Sequence, residues 1–168
     1  MDAKGEELDR ITGFRPPDRF ISTIKPILAG KSYGALKKKA EKEPDNLEVA
    51  VELGKKEEER RQYDKAEALY KKVLAAKDAG PAIREAAEGR MALLSFMKSR
   101  GRDIAGLHAY FDKKKDTAGV VDHARLLMRA YQDGDEVAKV VAVGEYLIRH
   151  VGETDATLLN NYAWFLAT

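Results

Sequence analysis

The side chains in this sequence best suited to acid–base chemistry or metal binding are its three histidines, His108, His123 and His150. A histidine can exchange a proton near neutral pH or offer a ring nitrogen to a metal ion. Each of these falls on a different predicted helix, and we find no second histidine or carboxylate at metal-ligand spacing on the same helix face. We therefore predict surface or internally satisfied histidines and no metal site.

The run Glu57-Glu58-Glu59 is the other candidate for acid–base work. Adjacent carboxylates on a helix point in different directions, and Arg60 and Arg61 follow at once, so we predict solvated side chains. The sequence has no cysteine, which excludes disulfides and thiol chemistry within it. It also lacks a G-x-S-x-G turn, a phosphate-binding loop and a glycine-rich dinucleotide turn. We predict no catalytic residues, no cofactor and no enzymatic activity.

Composition narrows the class of partner. The chain has 168 residues, 44% of them hydrophobic and 35% charged, and its net charge is only +2. Basic and acidic residues nearly cancel, so no nucleic-acid partner is expected. No apolar run approaches the ~18 residues of a membrane span, and no signal peptide follows Met1, so we predict no membrane insertion. Composition does not decide the compartment.

The segment from Leu47 to Asp78 organises the chain. Apolar residues recur in both of its halves at the spacing of one helix face, and a polar stretch separates the halves. Each half has an apolar stripe that must be covered, so we predict two helices that pack antiparallel as a hairpin.

This hairpin resembles the tetratricopeptide repeat. The residues that carry the resemblance are the pair Leu53-Gly54 in the first helix, and then Tyr63, Ala66 and Tyr70 in the second. Small residues allow close approach of the backbones, and the tyrosines fill the space beside them. The sequence departs from the family where Ala50 replaces a favoured Trp and Glu57 a favoured Tyr. We therefore expect the end of the first helix to be poorly packed or more exposed.

Weaker copies of the pattern follow along the chain. Gly106 and Tyr110, and then Ala142 and Tyr146, repeat the small residue followed four positions later by tyrosine. Their spacing is close to the period of this repeat class, and single repeats cannot bury their own apolar faces. The Val-rich segment that ends near Val151 fits a helix better than a strand, and a last helix covers residues 156–167. We predict an all-α, right-handed superhelical stack of such antiparallel hairpins over residues 31–168.

The first 30 residues differ from the rest. Residues 5–13, with Glu6, Arg10 and a glycine at each end, and the helix start at Pro16-Pro17 resemble the last strand and helix of a thioredoxin-like domain. We expect a short extended or disordered segment and then a helix kinked at Pro26. The resemblance implies that residues 1–30 are the end of such a domain, with any redox cysteines outside this chain. The alternative is a short cap on an all-α array.

Function follows from these resemblances as an expectation. The first helices of a repeat stack line its concave side, which implies a non-catalytic scaffold that binds a peptide or protein there. The positions implied are Glu48, Val51, Lys55, Glu58, Met91, Ser95, Lys98, Ala124 and Met128. Two alternatives remain: a structural or dimerising part of a thiol–disulfide oxidoreductase, and a homo-oligomerisation unit that uses the C-terminal helix around Trp164.

Overall fold

The computed structural model describes residues 9–11, 14, 16–116, 118–151 and 156–167. Within these residues the chain is all-α and contains no strand, which confirms the predicted fold class. Most of the predicted extended segment lies outside the described residues. The helices are α1 (Pro17–Pro26), α2 (Tyr33–Lys42), α3 (Leu47–Glu59), α4 (Tyr63–Ala75), α5 (Pro81–Lys98), α6 (Ile104–Lys114), α7 (Val121–Asp133), α8 (Val137–Val151) and α9 (Ala156–Ala167).

Local sequence sets several helix boundaries. The Ser32 hydroxyl accepts a hydrogen bond from the Ala35 amide at 3.2 Å, and the Asn46 side chain accepts one from Val49 at 3.1 Å, so both residues cap a helix start. The regular α-helix α1 ends at Pro26, as the expected kink requires, and a π-turn over Ile27–Lys31 follows. Gly30, with φ of +80°, closes that turn in a conformation that glycine adopts readily.

The chain divides into two compact units, Met1–Arg90 and Met91–Thr168, and the division falls within α5. In the first unit, α3 packs closely against both α2 and α4. Lys72, near the end of α4, pairs with Asp45 at 3.6 Å directly before α3 begins, so α3 and α4 run antiparallel. This matches the predicted hairpin. Its core contains Val49, Ala50, Leu53, Ala66, Tyr70 and Val73, all of them buried.

Gly54 is the point of closest approach in this hairpin. A Cβ atom added there would lie 2.5 Å from Cε1 of Tyr70, closer than atoms can pack. The predicted role of Gly54 beside Tyr70 is therefore confirmed. The expectation of a loosely packed helix end is wrong, because Glu57 and Glu58 are each only 6% exposed. Tyr33 of α2 covers the first of these residues and Arg90 of α5 covers the second.

The second unit has one apolar core, to which α5, α6, α7 and α8 contribute. α7 and α8 pack closely together, and the Val-rich segment is the helix α8, as predicted. The buried residues of this core are Leu93, Leu107, Phe111, Val120, Ala124, Leu127, Met128, Tyr131, Val140, Val143, Tyr146 and Leu147.

The later repeat copies use different small residues from those predicted. Gly106 has open space where a side chain would project, and Ala142 is exposed, so neither lets a neighbouring helix approach. Gly144 does this instead, because a Cβ atom added there would lie 2.6 Å from Cζ of Tyr162 on α9. The predicted role of Gly106 and Ala142 is wrong, because a recurring spacing does not fix which helix face is turned inward.

Candidate functional site

The predicted groove positions differ in their exposure. In the first unit, Glu48 is exposed, and Lys55 is partly exposed and pairs with Glu52 at 2.8 Å. In the second unit, Met91 and Ser95 are partly exposed and Lys98 is exposed. These positions remain accessible to a partner, and each unit presents its own subset.

The other predicted positions are interior. Val51 and Glu58 are buried in the first unit, and Ala124 and Met128 are buried in the second. Ala124 and Met128 belong to the apolar core between α7 and its neighbours. While this packing is kept, these side chains are not available to contact a partner.

Glu58 forms a buried ion pair with Arg90. Arg90 donates from Nε to Oε1 of Glu58 at 3.2 Å and from Nη2 to Oε2 of the same carboxylate. Burial disfavours the charged guanidinium, but the hydrogen bond and the charge of Glu58 outweigh this and raise the pKa of Arg90. Burial, and then the neighbouring Glu58, also raise the pKa of Tyr70. The cluster ties α3 to α5 and serves packing of the first unit.

Tyr33 is the centre of a second polar cluster in the first unit. Its hydroxyl donates to Glu57 Oε1 at 3.2 Å, and its backbone amide donates to Asp9 Oδ2, also at 3.2 Å. Lys56 pairs with the same Asp9 oxygen at 3.0 Å, and the Arg60 guanidinium lies 3.8 Å from the centre of the Tyr33 ring. These contacts fasten the segment around Asp9 to α2 and α3.

A cleft of about 250 Å³ opens in the second unit between α6, α7 and α8. Aromatic rings form its floor: Phe111 and Tyr146 meet edge to face at 5.0 Å, and His108 and Tyr131 do so at 5.9 Å. Charged side chains of both signs surround the opening. The lining residues are His108, Phe111, Asp112, Lys115, Asp116, Tyr131, Lys139, Ala142, Val143, Glu145, Tyr146 and Arg149.

A chain of hydrogen bonds crosses this cleft. The Asp112 carboxylate lies 2.9 Å from Nε2 of His108, and Nδ1 of His108 lies 2.6 Å from the Tyr131 hydroxyl. Burial, and then the carboxylates of Glu136 and Asp112, raise the pKa of Tyr131. Tyr131 therefore keeps its proton and donates it to His108, whose other nitrogen donates to Asp112. Because Tyr131 is only 1% exposed, the chain orients this phenol and does not prepare it as a nucleophile.

The sequence interpretation missed the partner of His108. Asp112 stands four residues later on α6, which puts both side chains on one helix face. The statement that no histidine has a carboxylate at such spacing is therefore wrong, and the spacing itself was the available signal. Tyr131 could not be found in this way, because it lies on another helix. His123 and His150 pack on Tyr110 and Tyr146, with ring centres 4.8 and 4.5 Å apart.

Some charged residues around the cleft are already paired. Lys115 lies 3.4 Å from Asp112, and Lys139 pairs with Glu136 and lies 5.1 Å above the Tyr131 ring. Within the described part of the chain, three lining residues make no ion pair or hydrogen bond through their side chains: Asp116, Glu145 and Arg149. These are the charges that an incoming molecule would meet first.

Comparison of the chain with protein-family models, with curated proteins and with solved structures found no match. Among the described residues, no group of histidine and carboxylate side chains is arranged to hold a metal ion. In the same residues, none of the helices has the length and apolarity that crossing a bilayer requires.

Proposed function

We propose that this chain is a non-catalytic protein-binding module that holds a short peptide segment of a partner in the cleft between α6, α7 and α8. One observation carries the proposal: an aromatic floor lies beneath a rim of unpaired charges of both signs. Peptide sites commonly combine an apolar surface for anchoring side chains with a few polar groups that fix orientation. The size of the cleft suits a few residues of an extended segment rather than a folded domain.

The resemblance to tetratricopeptide repeats supports a binding role but implied a surface on the first helices. The cleft instead takes most of its lining from α6 and α8, the second helices of the expected hairpins. We propose the cleft as the primary site. The exposed first-helix positions, such as Glu48 and Lys98, then serve as secondary contacts.

The resemblance of residues 4–29 to a thioredoxin-like domain also remains a proposal. It is supported by the outer face of α1, where Phe20 and Ile21 are exposed and Leu28 just beyond is 81% exposed. A packed neighbouring domain would cover such a face. In the alternative function, this chain is the structural part of a thiol–disulfide oxidoreductase. A Cys-x-x-Cys motif in the same reading frame upstream of Met1 would favour that alternative.

The proposed peptide site can be tested by filling it. Ala142 is exposed and lines the cleft, so Ala142→Trp should occupy the space without disturbing the core. The control is Ala82→Trp, at an exposed alanine of α5 that does not line the cleft. Decapeptides selected by phage display on the full chain would be labelled, and their affinities measured by fluorescence anisotropy. We expect Ala142→Trp to weaken binding at least about tenfold, and Ala82→Trp to leave it unchanged.

Equal affinity for the two tryptophan variants, or failure to select any peptide, would remove the cleft as the binding site. Circular dichroism of both variants checks that the helices are intact. A peptide that binds Ala142→Trp normally and is lost on substitution of Glu48 or Lys98 would return the site to the first helices.

A second candidate function, self-association through α9, is favoured by one observation. Trp164 on this helix is 68% exposed, which is unusual for the largest apolar side chain. Light scattering coupled to size exclusion would show a dimer whose formation Trp164→Ala abolishes. A monomer for both the wild-type chain and the variant would exclude this role.

A further inference from the structure

Resting on the proposed function, the next question is which chemical group the cleft selects. The charges that line it balance as drawn, with Lys115, Lys139 and Arg149 against Asp112, Asp116 and Glu145. Their availability does not balance. Lys115 is held by Asp112, and Lys139 is held by Glu136, which stands outside the lining.

Asp112 is also committed, because it receives both His108 and Lys115. This leaves Asp116 and Glu145 as two unpaired carboxylates and Arg149 as a single unpaired cation, among the residues that the structure describes. A cation that enters the cleft can be met by two acids without breaking an existing pair. An anion would find only Arg149, and Glu145 stands one helical turn from it on the same helix.

The floor favours the same sign of charge. Aromatic rings attract cations through their negative faces, and Lys139 already occupies that position 5.1 Å above Tyr131. Arginine and lysine also carry long apolar stems that can lie on an apolar surface while the charged end stays at the rim. Val143 and Phe111 supply such a surface in the cleft.

We infer that the cleft anchors its peptide through a basic side chain of the partner, arginine above all, whose stem lies on the floor and whose guanidinium is received by Asp116 and Glu145. A planar guanidinium can donate to two carboxylates at once, which a single ammonium does less well. Arg149 then receives an acidic group next to the basic residue, such as a neighbouring Asp or Glu.

The test uses the full chain labelled with ¹⁵N and three small probes: N-acetyl-arginine methylamide, the citrulline analogue and the glutamate analogue. Citrulline keeps the shape of arginine but carries no charge. We expect the arginine probe to shift the amide signals of Asp116 and Glu145. The citrulline probe should bind at least about tenfold more weakly, because charge-assisted hydrogen bonds are lost.

Matched variants separate the two carboxylates from general electrostatics. The double variant Asp116→Asn/Glu145→Gln should abolish the shifts caused by the arginine probe. The control, Asp122→Asn/Asp133→Asn, removes the same charge from two exposed positions of α7 that do not line the cleft, and should bind normally. Both pairs are exposed, so folding of each variant is expected and is checked by its amide spectrum.

Equal binding of the arginine and citrulline probes, or preference for the glutamate probe, would overturn the basic anchor while the peptide site stands. Silence of the cleft amides with every probe would also overturn it. The proposed function fails separately, when Ala142→Trp does not block the displayed peptides.

Discussion

Glu58 and Glu59 are neighbours in sequence with opposite surroundings. Glu58 is buried against Arg90, whereas Glu59 is exposed and pairs only with Lys56, three residues before it on the same helix, at 3.2 Å. A buried carboxylate keeps its charge only if a partner and hydrogen bonds replace the lost water. The two glutamates therefore differ in their contribution to stability although they have the same chemistry.

We expect Glu58→Ala to lower the free energy of unfolding by about 3 kcal/mol, because it leaves the Arg90 guanidinium without its buried partner. Glu59→Ala is the matched control and should change it by less than about 1 kcal/mol, as is usual for exposed pairs. Urea denaturation followed by circular dichroism measures both. Equal effects of the two substitutions would contradict a stabilising role for the pair.

The burial of Glu58 also changes what can be tested about the expected groove. Replacing Lys55 and Glu58 together was the natural way to probe a binding surface on α3. Glu58 now belongs to the interior, so such a variant would lose stability and binding together. Lys55 with Glu48 is the pair that tests this surface, because both are at least partly exposed.

Single residues were the least predictable feature from sequence. The run Glu57-Glu58-Glu59 reads as solvated because local spacing carries no information about Tyr33 or Arg90, which approach from other helices. His108 and Asp112 are different, since their contact is local and follows from spacing on one helix. Polar contacts within a helix can be predicted, whereas those between helices need the fold.

At the scale of the helices, close approach depends on glycine facing a tyrosine. Gly54 on α3 meets Tyr70 of α4, and Gly144 on α8 meets Tyr162 of α9. In both cases the ring occupies the volume that a side chain would need. The first contact was predictable from the repeat pattern, but the second was not, because it joins different members of the expected hairpins.

We expect Gly54→Ala to destabilise the chain by about 1–3 kcal/mol through overpacking. The buried Tyr70 ring cannot move away, because it has no exposed surface to move into. Gly106→Ala is the control: it lies within α6 with open space around it, so it should stabilise by up to about 1 kcal/mol through helix propensity. Thermal denaturation of both variants decides. A stabilising Gly54→Ala would mean that α3 and α4 do not pack this closely.

At the scale of the whole molecule, the all-α class and the helix boundaries followed from periodicity, caps and glycines. Helix α8 is the clearest example, since its valines suggested a strand but their spacing predicted a helix. The cleft was not predictable, because three helices distant in sequence build it. The boundary predicted at residue 30 and the superhelical arrangement of repeats remain predictions.

Both units contain tyrosines whose hydroxyl groups ionise less readily in the folded chain. Burial is the largest cause of the raised pKa of Tyr70 in the first unit, and of Tyr131, Tyr146 and Tyr162 in the second. In the unfolded chain these groups return to an ordinary pKa near 10.0. Above that pH the unfolded state loses protons that the folded state keeps, so the stability that these groups contribute is present below about pH 10 and is lost above it.

We therefore expect the free energy of unfolding in urea to decrease as the pH rises from about 9 to about 11. Tyr70→Phe removes one of the ionising groups, so it should reduce the slope by up to about 1.4 kcal/mol per pH unit. The comparison of slopes is informative even if the substitution changes stability at neutral pH, because that change is the same at every pH. An identical slope for Tyr70→Phe and the wild-type chain would mean that this hydroxyl reaches water in the folded state, and the close packing of α3 on α4 would then have to be revised.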